Sequence, residues 1–362
     1  MKRIAYLCLS DGWGGLEMNQ LRNALQMQKR GHDVLLITNS SSPVAKAAEQ
    51  DNIPIYIVDQ KAKHYQWLFA WQLAVKLLKE GRRDLFFRNN RELSIAASVQ
   101  FFSSGRVRSH YFMEMAMGGI RTQFFRTLRY KFIHTWVCPL PYLVNQVKQQ
   151  SRVAANKINL IHSGVSMDRQ TYLNPIEARN KLGWPTDKKI MVVVGRIDPK
   201  KRQHFIWESF CQRPSLNELL VFVGAPTPDQ DSSYHTSLLE SIKSHPKSNQ
   251  VLWSGFHRAM DLVYSAADLV IMAADHETVG MVTIEALFND CIIVGSKNGG
   301  TREIIETYGG GLCFMPNDQN ELNQQLDSAL QGHVPPINRS LFEQHFDFNY
   351  VCERVETEIL GS

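Results

Sequence analysis

Residues 268–305 leave a chain few ways to fold. The run Asp268-Leu269-Val270-Ile271-Met272-Ala273 is short, apolar, partly β-branched and opened by a charge, the pattern of a strand buried on both faces. A polar loop follows, Ala274-Asp275-His276-Glu277-Thr278, and then a helical apolar spacing from about Gly280 through Ile284 and Leu287. Cys291-Ile292-Ile293-Val294-Gly295-Ser296 is a second buried strand, and Lys297-Asn298-Gly299-Gly300 leads from it into another helix starting at Thr301-Arg302-Glu303. This succession of strand, loop, helix, strand, glycine loop and helix is a βαβ unit, and its strands run parallel because a helical crossover brings the chain back to the same edge. Ligands of such sheets bind outside the carboxyl ends of the strands, so the loops at 274–278 and 297–300 are where function is expected.

The residues of those loops have a common chemistry. Glu277 and Glu285 stand eight positions apart across a helix start, about 12 Å at most along the axis at ~1.5 Å per residue, so they can touch two parts of one elongated ligand. Gly299-Gly300-Thr301 puts small residues at a helix start whose free N–H groups and dipole favour an anion. Hydroxyls at two places with phosphate between them describe a nucleotide sugar, against the plain reading of a solvated glutamate face. Gly195-Arg196-Ile197-Asp198-Pro199-Lys200-Lys201 follows the apolar run 190–194. There Arg196, a planar fork, and Lys201, a point charge, can reach one pyrophosphate; the bland alternative is a solvated basic turn.

Taken together these motifs resemble those of the retaining glycosyltransferases of family four, which have the GT-B fold. The family's glutamate, nearby glycine, second glutamate eight residues on and later Gly-Gly loop are matched by Glu277, Gly280, Glu285 and Gly299-Gly300, and its Arg and Lys five residues apart by Arg196 and Lys201. The resemblance implies an α/β protein of two Rossmann-like domains with a deep interdomain cleft: residues 1–170 binding the acceptor, 171–340 binding the nucleotide sugar, and a C-terminal helix at 341–362 crossing back to the first domain. It implies transfer of a sugar, with retention, from a UDP- or GDP-sugar donor to a glycan or lipid-linked acceptor, in lipopolysaccharide or polysaccharide assembly, without a cofactor or metal. Glu277 is then the catalytic glutamate at the donor sugar, and Glu285 takes the ribose hydroxyls. Arg196, Lys201, Gly280, Gly299, Gly300 and Thr301 surround the diphosphate. A Gly-Gly-x-Glu loop maps onto Gly14, Gly15 and Glu17, adding Gly15 to the donor set. Several family members place a histidine at a strand end over the donor sugar. His110 matches that position, with His134 and His162 as competitors and a core histidine as the plain alternative. Phe256, after the strand-like run from Val251, either stacks on the base or fills the core.

The chain departs from the family at Asn289-Asp290-Cys291-Ile292, where Gly-x-Pro is usual, at Arg202, where Gly is common, and at His276, often Ser. The first two concern turns; the third bears on which sugar is bound. Two rivals stay open. One is a nucleotide-sugar-binding subunit without activity of its own. The other is a Rossmann oxidoreductase, but its Gly-x-Gly-x-x-Gly fingerprint is met here by Gly12-x-Gly14-Gly15-x-Glu17.

Bulk properties agree with two domains of ordinary size in 362 residues. No run of about 18 apolar residues is present, and an apolar strand starts right after Met1-Lys2-Arg3, so a cytoplasmic protein is expected. The six cysteines are scattered and read as free buried thiols. Residues 1–170 hold 24 Lys and Arg against 11 Asp and Glu, residues 171–362 hold 16 against 24. That asymmetry suggests that the first half meets an anionic partner, a membrane surface or a phosphorylated acceptor, rather than nucleic acid. Basic residues interleave with aromatics over 121–136, the pattern of an interfacial helix or of an ordinary one on the sheet. Asp229-Gln230-Asp231 is nominally a metal motif, but its Pro-rich loop makes coincidence the better reading. Residues 341–360 read as one terminal helix.

Overall fold

The computed structural model describes residues 1–59, 66–119, 127–166, 173–226 and 233–361. The chain divides into two compact units, Met1–Gly164 with Asn349–Ser362, and Val165–Phe348.

The first unit is built on seven parallel strands: β1 (Arg3–Cys8), β2 (Asp33–Thr38), β3 (Ile55–Ile57), β4 (Asp84–Phe87), β5 (Arg108–Phe112), β6 (Thr135–Cys138) and β7 (Ile158–Leu160). Their order is β3-β2-β1-β4-β5-β6-β7. The second unit has six: β8 (Lys189–Val194), β9 (Glu218–Val223), β10 (Val251–Gly255), β11 (Leu269–Met272), β12 (Ile292–Ser296) and β13 (Gly311–Phe314), in the order β10-β9-β8-β11-β12-β13. Both follow the doubly wound 3-2-1-4-5 pattern, in which the direction of strand succession reverses between two central strands: β1 and β4 in one unit, β8 and β11 in the other. Central strands buried on both faces read as continuous apolar runs for this reason; Leu269, Val270 and Ile271 are all within 1% of full burial.

The predicted βαβ unit is β11, the Met281–Phe288 helix, β12 and the Gly299–Tyr308 helix, with β11 and β12 paired in parallel register. Two sequence expectations need correction. Residues 341–360 are not one helix: Arg339–Phe346 ends at Asp347 in extended conformation, Phe348–Arg354 starts a new helix, and Val355–Leu360 is a π-helix. The extended break lets the Val165 N–H donate to the Phe346 carbonyl and the Phe348 N–H to the Val165 carbonyl, strand-like bonds that a continuous helix would forbid. From Asn349 onward the chain packs within the first unit, where Arg30 and His32 both reach the Glu356 carboxylate, at 2.6 and 2.8 Å. The second correction concerns 121–136. Residues 121–126 lie outside the described residues, Thr127 and Leu128 are helical, Arg129–Phe132 is a short 3-10 turn, and Trp136 belongs to β6, a buried strand. Asp229 and Asp231 also lie outside the described residues.

Candidate functional site

In the second unit the carboxyl ends of β8 and β11 adjoin at the reversal point. After β8 the chain turns through Gly195 and Arg196, and Asp198 caps a short 3-10 turn, Pro199–Lys201, by accepting the Lys200 N–H at 2.8 Å. That turn aims Lys201 at the loop after β11, where its Nζ donates to Glu277 Oε2 at 2.6 Å. Sequence spacing could not disclose this pair, because its members are 76 positions apart. Arg196 is exposed, and its carbonyl is held by Gln203 Nε2 at 2.7 Å, which orients the turn.

The glycine loop closes the other side. The Gly300 N–H donates to the Glu277 carbonyl at 2.7 Å. A Cβ on Gly299 would lie 2.1 Å from that same oxygen, and one on Gly300 2.6 Å from the Val279 carbonyl, so side chains at either position would drive the two loops apart. The glycines therefore bring the Glu277 loop against the amino end of the Gly299–Tyr308 helix. One expected anion donor is used up in doing so, while the N–H groups of Gly299 and Thr301 have no backbone acceptor among the described residues.

Two further residues are held by partners remote in the sequence. The Thr301 side chain is 2% exposed and its hydroxyl is bonded to Thr283 at 3.0 Å, tying the two helices together. Only its backbone N–H is left to face a ligand. Glu285, in the second turn of Met281–Phe288, accepts from the Tyr264 hydroxyl at 3.0 Å. Tyr264 thus fixes the Glu285 rotamer, a role no motif signalled. Gly280 caps that helix in the left-handed conformation. Phe256 is 64% exposed beyond β10, so it does not fill the core.

His110 must be withdrawn as a catalytic candidate. It sits inside β5 with 0% exposure, stacks on Phe86, and its Nε2 lies 2.9 Å from Asp84 Oδ1 at the start of β4. The ring thus points to the amino end of the sheet, away from the edge where ligands bind, and burial lowers its pKa despite the Asp84 partner. Gly15 opens the Gly15–Lys29 helix of the first unit after an uncapped Gly14. Glu17 is 9% exposed, and its carboxylate faces Gly12 and Gly14. Among the described residues no group of three or more His, Cys, Asp or Glu is placed to hold a metal ion, and no helix is long and apolar enough to cross a membrane.

Residues 175–341, which contain the Lys201–Glu277 pair and the glycine loop, match the family described as Glycosyl transferases group 1. Over its whole length the chain superposes on a crystal structure of HepE from Anabaena, solved with UDP and glucose, with a TM-score of 0.82 at 19% identity and 100% of both chains covered. The fold is GT-B. Sequence relatives of this GT-B chain include a D-inositol 3-phosphate glycosyltransferase of Mycolicibacterium smegmatis, 25% identical over 54% of the chain and 45% of the relative. Another is a lipopolysaccharide 1,2-N-acetylglucosaminetransferase of Salmonella typhimurium, 23% identical over 58% of each. The chain spans about half the length of the curated relatives it matches.

Proposed function

We propose that the chain transfers a sugar from a nucleoside diphosphate sugar to an acceptor hydroxyl, with retention of anomeric configuration. The observation that carries this reading is the Lys201–Glu277 ion pair set against the amino end of the Gly299–Tyr308 helix. Lys201, Arg196 and the free N–H groups of that helix form a cationic seat for a diphosphate, and Glu285, held by Tyr264, offers a carboxylate to ribose hydroxyls. An arriving diphosphate competes with Glu277 for Lys201; the released carboxylate then accepts donor-sugar hydroxyls beside the anomeric carbon.

Breaking the bond between the anomeric carbon and the phosphate oxygen leaves negative charge on the diphosphate and positive charge on the sugar ring. The cationic seat stabilises the first and Glu277 the second. Attack from the same face, with the acceptor proton passing to the departing phosphate oxygen, forms the new glycosidic bond and retains configuration. In this reading the charge is met by side chains rather than by a metal, so chelators leave the rate unchanged. The Salmonella relative makes a lipopolysaccharide or polysaccharide acceptor the natural first choice, handled in the cytoplasm at the membrane's inner face.

The test is a panel of UDP- and GDP-sugars, scored by thermal shift and then by transfer and donor hydrolysis. One donor is expected to stabilise the protein and turn over, with NMR of the product showing the donor's anomeric configuration. Lys201→Ala is expected to lower turnover by about 10²–10³-fold with an unchanged circular dichroism spectrum. Binding without any turnover, unaffected by Lys201→Ala, sinks the proposal and leaves a nucleotide-sugar-binding subunit.

A further inference from the structure

Beside the Lys201–Glu277 pair, a second ion pair joins the same two loops. Arg202 stands at the junction of the Pro199–Lys201 turn and the Gln203–Cys211 helix, and its guanidinium lies 3.1 Å from the carboxylate of Asp275, two residues before Glu277. Consecutive cations of the loop after β8 thus meet two acids of the loop after β11. The backbone adds another link, since the Asp275 N–H donates to the Lys200 carbonyl at 3.3 Å.

Arg202 is held on its other sides as well. Its Nη2 donates to the Asn317 side-chain oxygen in the loop after β13. Its guanidinium carbon sits 4.5 Å from the centre of the Phe205 ring, which in turn stacks on Phe314, the last residue of β13. One side chain therefore ties together the loops after β8, β11 and β13, all at the ligand edge of the second unit's sheet. At 15% exposure it is packed against protein, whereas the neighbouring Lys200 is exposed to solvent.

The backbone gives no reason for an arginine here. With φ at 58° the position disfavours any residue bearing a Cβ, and glycine would make the same turn without strain. What the arginine adds is its side chain, and strained residues held in place by their surroundings cluster at functional sites.

The two ion pairs also differ in what a ligand does to them. A diphosphate that takes Lys201 from Glu277 breaks the first pair. The second does not involve Lys201, and its guanidinium is already enclosed by Asp275, Asn317 and the Phe205 ring. We propose that Arg202 is a positioning residue: its clasp on Asp275 holds the loop after β11 against the diphosphate turn while the donor engages Lys201, so that Glu277 stays beside the anomeric carbon. This rests on the glycosyl-transfer reading for the task of Glu277; the holding of the loop is tested apart from it.

Three changes to the full-length protein separate a clasp from its rivals. Arg202→Gly removes the side chain and suits the left-handed backbone, so the fold is kept. Asp275→Asn removes the partner's charge. Arg202→Asp combined with Asp275→Arg reverses the pair, aspartate being one of the residues that tolerate this φ. Hydrogen exchange over residues 273–278 is followed with saturating UDP, and kcat and KM are measured with the donor that the unsubstituted protein turns over.

With UDP bound, exchange over 273–278 is expected to be at least tenfold faster in Arg202→Gly and in Asp275→Asn. In both, kcat should fall roughly tenfold, the scale of one coupled interaction, with KM for the donor within about twofold, as for a contact that matters in the transition state rather than in binding. The variant carrying both Arg202→Gly and Asp275→Asn should be no slower than either alone, and the reversed pair should regain most of the rate. A guanidinium acting on the diphosphate itself behaves otherwise: Asp275→Asn then frees it and tightens UDP binding, and the reversed pair abolishes binding. Either result overturns the proposal. So does an Arg202→Gly protein with unchanged exchange and kcat, which would leave the ion pair as compensation for its own strained backbone. If the unsubstituted protein neither binds UDP nor turns over any donor, the donor reading fails by itself. The clasp is then decided without nucleotide, in Lys201→Ala protein, where adding Arg202→Gly should speed exchange over 273–278 at least tenfold and unchanged exchange overturns it.

Discussion

Tyr264 shows what one side chain contributes to the proposed donor site. Its ring is buried and its hydroxyl donates to Glu285, so removing the oxygen takes one hydrogen bond from that carboxylate without opening a cavity. Tyr264→Phe is expected to weaken binding of the donor nucleotide by about fivefold, corresponding to ~1 kcal/mol for one hydrogen bond, with stability nearly unchanged; calorimetric titration with UDP checks it. Arg202 marks the limit of motif reading at this scale. It stands where the family commonly has glycine, and the structure gives the reason for the glycine: φ is 58°, in the left-handed region. The strain of a side chain there, roughly 1–2 kcal/mol, is met by an ion pair to Asp275 at 3.1 Å and by stacking of the guanidinium 4.5 Å over Phe205. That Arg196, Lys201 and Glu277 lie in the segments following β8 and β11, and Glu285 in the helix after them, was legible because each follows an apolar run along the chain. The Lys201–Glu277 bond and Tyr264 were not, because they join elements remote in sequence.

The Leu93–Phe102 helix is anchored at its start by Glu92, whose Oε1 accepts the Leu9 N–H at the end of β1. The carboxyl is buried, and its pKa rises from 4.5 to about 8, with the Leu9 bond lowering it only in part. A group whose pKa is raised by folding stabilises fully below its unfolded value, and that contribution is lost as pH rises through the folded one. Stability should therefore fall from about pH 4.5 to about 8. His110 and His134 act in the opposite sense, since burial lowers their pKa values; the stability they supply is lost as pH falls below 6.5 and is complete above it. Between pH 6.5 and 8 the Glu92 effect stands out. Urea unfolding at several pH values should show stability declining over that window, and Glu92→Gln should flatten the decline. A wild-type profile that is level or rising from 6.5 to 8 would contradict the burial argument. No motif along the chain hints at a carboxyl beneath this helix's first turn, because its partner, the Leu9 N–H, lies 83 positions away.

Across the whole molecule, two parallel sheets carry separate cores, and charge divides between them. The first unit holds 24 Lys and Arg against 13 Asp and Glu, the second 16 against 22. Since the proposed donor groups Arg196, Lys201, Glu277 and Glu285 all belong to the second unit, UDP should stabilise that unit selectively. In urea, two transitions are expected, and UDP at about 100 times its dissociation constant should raise the stability of one by ~2.7 kcal/mol while leaving the other in place, as followed by hydrogen exchange. Equal protection of both sheets would show that donor binding is not confined to the second unit.

The apolar runs and the glycine loops by themselves determined that parallel sheets form and where their ligand edges fall, because burial on both faces and close backbone approach are local demands written residue by residue. Which side chains meet at those edges was decided only by tertiary structure. A reversal of strand order sets β8 beside β11, and with it Lys201 on Glu277; a register along β5 turns His110 inward to Asp84. Contacts of that kind depend on how elements distant in the chain are laid side by side, which no spacing along it records.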